Sequence, residues 1–188
     1  MSLLEQVKRR FARLPEQVRA GVQAAGDPDE RVLAWGALAR EEGWLVATSR
    51  GLRTVRVGSA GTVLPWHEVA LGRWSAGGGG DGGTLTVVAL QEVEPGVQAR
   101  LPEQRHALSD AGDLPAVVRR RVDQTVVASQ RSPLPGGGGV LLVARRIPGQ
   151  PGKEWTVVFD DDAQRGDPEA REAAERKLAE LVAAERPE

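Results

Sequence analysis

Apolar positions change their period along the chain, and the elements follow from that. Leu3, Leu4, Val7 and Phe11 recur near one helical face, with Lys8, Arg9 and Arg13 elsewhere. Pro15 opens a second helical turn with Val18 and Val22 on its apolar side, and Gly26-Asp27-Pro28 closes it. From Arg31 the spacing shortens toward two. Residues 31–39 read as a strand with Leu33, Trp35 and Ala37 on one face, and 44–49, 52–57 and 62–69 read as three more. Glu41-Glu42-Gly43, Ser49-Arg50-Gly51 and Gly58-Ser59-Ala60-Gly61 turn the chain between them. Connections this short force antiparallel pairing, because a parallel crossover takes about a dozen residues or more. The stretch 44–69 is therefore the middle of a β-meander.

Beyond it, the glycine-rich run 77–83 has almost no side chains to pack and predicts a flexible loop. Residues 84–90 form a dense β-run and 97–101 a weaker one after Pro95-Gly96. Asp113 as N-cap and Pro115 in the first turn predict a helix over 114–130, with Leu114, Val118, Val122 and Thr125 or Val126 along one side. A second glycine-rich loop, 133–139, leads to a hairpin over 140–160 about Pro148-Gly149-Gln150-Pro151-Gly152. Asp167-Pro168 starts a closing helix near 168–185, striped by Ala170, Ala174, Leu178, Leu181 and Val182, whose end at 185–188 is expected to fray. The class is α+β, with a helical lead-in over 1–26 and a single domain over 27–188.

Composition narrows the function more than the fold. The 188 residues are 40% hydrophobic and 27% charged, enough for a packed core. A net charge of −1 gives no global attraction to nucleic acid, and none is expected as a partner. Absence of cysteine removes disulfides, thiol catalysis and thiolate metal sites, and fits a cytoplasmic protein. No apolar run approaches a membrane span or the core of a signal peptide.

Candidate chemistry does not converge on a site. Neither glycine cluster leads through Gly-Lys-Ser/Thr into a helix, so both read as loops rather than phosphate cradles. Asp160-Asp161-Asp162 with Asp167 offers hard oxygen ligands, but a strand exit followed by a helix cap accounts for all four, and no metal or cofactor is expected. Gly58-Ser59-Ala60-Gly61 is one residue short of a nucleophile elbow. His106, Ser109 and Asp110 have the residue types of a triad, yet stand too close in sequence, and a polar loop before Asp113 is expected instead. Glu68 and Glu92 would need an apolar cleft to separate their proton affinities. An active site would require a deep pocket holding His67, His106 or one of Asp160–Asp162. Arg119-Arg120-Arg121 fans over a wide helical arc and makes no basic strip.

Leu45-Val46-Ala47-Thr48-Ser49, Gly51-Leu52 and Leu64-Pro65-Trp66-His67-Glu68-Val69 resemble the corresponding strands of bacterial pleckstrin-homology-like (PH-like) domains, the group that includes GRAM-type modules. Segments 114–119, 144–149 and 154–158 look like a group of actinobacterial proteins to which the resemblance attaches no activity. What the PH-like resemblance implies is a helix-capped antiparallel barrel or sandwich, here with N-terminal, internal and C-terminal helices, of a kind that binds lipids, peptides or proteins and rarely performs chemistry. Phosphoinositide-binding members carry a basic loop where this chain has Arg40-Glu41-Glu42-Gly43, a poor phosphate cradle. The expected function is a non-catalytic adaptor for a protein partner, bound at a sheet edge or beside the capping helix. Trp66 and Trp74 are the aromatic candidates for contact, and Arg145 and Arg146 the candidates for an acidic partner. The alternative is a peripheral membrane module that sets Lys8, Arg9, Arg10 and Phe11 on an anionic surface.

Overall fold

A computed structural model describes residues 14–185, except Ala60 and Gly79. Pro15 admits helix α1 (Glu16–Ala24), which lays Val18 and Val22 on Val46 and Val55 of the sheet. The meander follows as β1 (Val32–Leu38), β2 (Trp44–Thr48), β3 (Gly51–Val55) and β4 (Val63–Pro65), antiparallel throughout. After a 3₁₀ turn, Trp66–Glu68, come β5 (Val69–Ala76), β6 (Gly83–Glu94), β7 (Val97–Arg100) and β8 (Gln104–Asp110). Helix α2 (Leu114–Thr125) passes directly into β9 (Val126–Pro133), and β10 (Gly139–Arg145), β11 (Glu154–Phe159), α3 (Asp162–Gly166) and α4 (Pro168–Ala184) complete the chain.

The class is α+β. Among the described residues eleven strands form one open sheet in the order β4-β3-β2-β1-β8-β6-β7-β11-β10-β9, with β5 added on β6. All pairings are antiparallel except that of β7 with β11. Strand β6 joins the two halves. Residues 83–87 lie between β5 and β8, Val88 and Ala89 pair with β5, and Leu90–Glu94 pair with β7.

Helix α2 covers the inner core, where Leu45, Leu52, Trp66, Leu85, Leu114 and Val118 meet. Helix α4 covers a second cluster of Val140, Leu142, Phe159, Ala170 and Ala174 on β10 and β11. Leu90, Val143 and Val158 bridge the halves. Each fully buried Leu or Val contributes about 1.5–3 kcal/mol relative to exposure. Close approach of α1 depends on Gly21, where a Cβ would stand 2.5 Å from Val55 Cγ1. A glycine costs a helix interior about 1 kcal/mol against alanine, so packing against β3 outweighs propensity here.

Four expectations are corrected. The predicted strand 62–69 divides, because Pro65 ends β4 and the 3₁₀ turn redirects the chain into β5. The internal helix stops at Thr125, since Val126 onward pairs with β10 along its length, and β-branched residues suit that pleated surface. Where a polar loop was expected, β8 runs between β1 and β6. Leu33 and Trp35 part company as well. A register shift between Val32 and Ala34 makes Leu33 the extra residue of a bulge, so Leu33 packs on the inner core and Trp35 beside α1.

One polar knot is sealed under this half. Glu30 and Arg53 are each 8% exposed. Arg53 Nε and Nη2 donate to the two Glu30 oxygens at 2.8 Å each, and Nη1 donates to the Gly61 carbonyl at 2.9 Å. The Thr48 hydroxyl donates to Glu30 Oε1 at 2.6 Å and accepts from the amide of Arg50. Burial pushes the Glu30 carboxyl up, but the Arg53 and Thr48 hydrogen bonds outweigh it and hold the group below the ordinary glutamate value.

Candidate functional site

Adjacent arginines leave β10 in different directions. Arg145 shares a strand face with Val143 and Leu141, because side chains alternate along a strand, and it is buried at the junction of the two sheet halves. Arg146 lies just past the strand end and is exposed. The two therefore serve two different concavities.

Arg146 lines a cleft of about 740 Å³ between the C-terminal end of α2, the start of β9 and the loop 146–153. Arg121, Gln124, Gln150 and Lys153 share its walls, and Trp66 lies at its floor. Among the described residues no carboxylate lines it. Lys153 is engaged, since its ammonium pairs with Glu185 and sits 5.7 Å from the Trp155 ring centroid. Glu185 also accepts from Trp155 Nε1 at 3.1 Å; of the stretch 185–188 expected to fray, 186–188 lie outside the described residues. Among the described residues neither Arg121 nor Arg146 forms an ion pair with a carboxylate, so both guanidinium groups are open to a ligand. The cleft is thus cationic, half-open and apolar at its base.

Arg145 lines a second cavity, of about 390 Å³, with the 3₁₀-turn residues His67 and Glu68, Leu90 and Glu92 of β6, and Glu154 of β11. Its Nη1 donates to the Thr125 hydroxyl at 2.8 Å, while Nε is buried without a partner. Burial pushes its pKa down from the ordinary arginine value.

Trp66 is 2% exposed, and its Nε1 donates to the Thr48 carbonyl at 2.9 Å. The Thr and Trp that carry the PH-like resemblance are thus tied to one another, and Thr48 also to Glu30. Trp74 is half-buried on β5 and lines neither concavity, but a shallow groove with Pro115, Ala116, Arg119 and Arg120 of α2. The membrane-contact candidates Lys8, Arg9, Arg10 and Phe11 lie outside the described residues. No helix among the described residues is long and apolar enough to cross a membrane.

The remaining candidates have structural partners. Asp160 pairs with Arg131 and Arg100, Asp161 caps α3 through the amide of Gln164, Asp162 pairs with Arg165, and Asp167 caps α4 through the amide of Glu169. At the end of β8, where the register against β1 shifts, Ser109 bonds the Ala37 carbonyl, and Asp110 accepts from the amide of Gly112. Burial lowers the pKa of His106. Of the residues an active site would need, His67 does line a cavity, together with Glu68 and Glu92. The Glu68 side chain is 43% exposed and Glu92 is exposed, so water solvates both carboxylates.

Arg121 carried no distinguishing signal in the sequence, being one of three consecutive arginines. Only the turn of α2 that aims it at the loop 146–153 separates it from Arg119 and Arg120. No protein-family model, curated protein or solved structure matches the chain.

Proposed function

We propose that this chain is a non-catalytic binding module whose cationic cleft receives an acidic segment of a partner protein. The observation that carries the reading is the pairing of two unneutralised guanidinium groups, Arg121 and Arg146, with an apolar floor and, among the described residues, no carboxylate in the wall. Guanidinium groups bind carboxylates through paired hydrogen bonds, which favours Asp- and Glu-containing peptides. Strand β9 begins at the cleft and ends the sheet order, with Val127 42% exposed, so an extended segment has backbone to pair with beside the charges. A PH-like architecture is supported by the motif residues and by the strand order β4-β3-β2-β1-β8-β6-β5 followed at once by α2 over the inner core. The absence of catalysis is supported by the solvated carboxylates at His67 and by the structural partners that Ser109 and Asp110 already have.

The test is fluorescence anisotropy with a labelled peptide alternating acidic and apolar residues, set against its lysine-substituted counterpart and phosphatidylserine vesicles. Binding of the acidic peptide that weakens with salt and falls at least about tenfold in the Arg121→Glu/Arg146→Glu double variant is expected. Vesicle binding without peptide binding would transfer the function to an anionic membrane. Equal affinity for the lysine peptide would remove the acidic partner altogether.

A further inference from the structure

The junction cavity is built around a charge that no carboxylate among the described residues neutralises. Arg145 is 6% exposed, Nη1 has only the neutral Thr125 hydroxyl, and Nε has no acceptor. Among the described residues it forms no ion pair. Buried charges are ordinarily paired, because leaving one unpaired costs several kcal/mol, on the order of the fold's whole margin of stability. Leu141 and Val143 precede Arg145 on the same strand face, where another apolar residue would have extended the hydrophobic junction at no such cost. His67 lines the same cavity, and its Nδ1 is likewise buried without a partner.

The carboxylates of this cavity stand differently. Glu68, Glu92 and Glu154 all line it, and all three are at least partly solvent-exposed. Glu154 is the direct cross-strand neighbour of Arg145, yet its carboxylate makes no ion pair with the guanidinium. A simple anion would satisfy Arg145 but meet three negative charges. A simple cation would suit those three and leave Arg145 as it is. Only a ligand carrying both charges answers both sets of groups. Leu64, Leu90, Leu101 and Ile147 supply apolar wall for a short side chain, and about 390 Å³ lies at the small end of ligand cavities.

We propose that the junction cavity binds a small zwitterion of the amino-acid class. Its carboxylate meets the Arg145 guanidinium, and its ammonium faces Glu68, Glu92 and Glu154. The assignment is independent of the acidic-peptide cleft, because Arg121 and Arg146 do not line this cavity.

Isothermal titration of the full chain against each of the proteinogenic L-amino acids tests it, followed by the best binder's N-acetyl and amide derivatives and by inorganic phosphate. The expected result is binding of one or more free amino acids, with loss of at least about tenfold in affinity when either charge is blocked. Glu92→Gln, at an exposed position, is expected to weaken binding while the fold is kept, and Arg145→Gln to abolish it. The derivative series decides the matter on the unaltered chain even where Arg145→Gln fails to fold. Absence of binding by every amino acid at millimolar concentration overturns the proposal. So does an amide that binds as tightly as its free acid, or phosphate that binds as tightly as either.

Discussion

Two arginines are buried almost equally, Arg53 at 8% and Arg145 at 6% exposure, and the fold treats them in opposite ways. Arg53 spends its fork on Glu30 and its remaining nitrogen on the Gly61 carbonyl, and Glu30 is itself bonded by Thr48. Arg145 has one neutral hydroxyl and a nitrogen without an acceptor. The first is a closed structural unit that locks the segment before β1 onto β3. The second carries an unpaired charge and lines a cavity. Burial alone does not distinguish a folding device from a recognition device; the inventory of partners does.

The sharpest way to break that contrast is to unpair Arg53. Glu30→Ala leaves a buried guanidinium uncompensated and is expected to cost about 3–5 kcal/mol in urea unfolding. Next in size, Trp66→Phe removes the indole N–H from the Thr48 carbonyl and is expected to cost about 1–3 kcal/mol, since that buried acceptor then lacks its partner. An acid series follows. The folded Glu30 pKa lies below the unfolded value, so its contribution is fully present above the ordinary value of 4.5 and is lost as pH falls through the folded one. Unfolding free energies measured from neutrality into acid should decline more steeply for the natural chain than for Glu30→Gln. The opposite sign is expected for Arg145→Met, a gain of up to about 4 kcal/mol rather than a loss, because a buried charge without a partner is removed and methionine fills the same apolar face. A loss as large as that of Glu30→Ala would mean that Arg145 is as fully paired as Arg53, and the contrast would collapse.

Much of the architecture was legible because its signals are local. The meander shows in the period-two runs and their short turns, and α4 in Asp167-Pro168, whose carboxylate caps the helix as the sequence implies. Strand β8 was hidden, since of Gln104–Asp110 only Leu108 is buried; its identity comes from β1 and β6 on either side. The α2–β9 boundary was hidden by valines, which serve the apolar stripe of a helix and the pleat of a strand alike. Arg145-Arg146 reads as one basic patch along the sequence, yet strand geometry sends the two to separate concavities. Glu30 with Arg53, and His67 with Glu92 and Arg145, meet only once distant strands are in register. No spacing rule finds such sets.

The twelve residues of β6 have one more consequence. Because its two ends belong to different neighbours, it acts as a splice between two panels, and neither panel has a complete seam without it. Peeling either one exposes the middle of the splice, where Thr86 to Leu90 are buried in succession. The chain is therefore expected to melt in a single step, with slow amide exchange running across that middle stretch rather than stopping at the border between the panels.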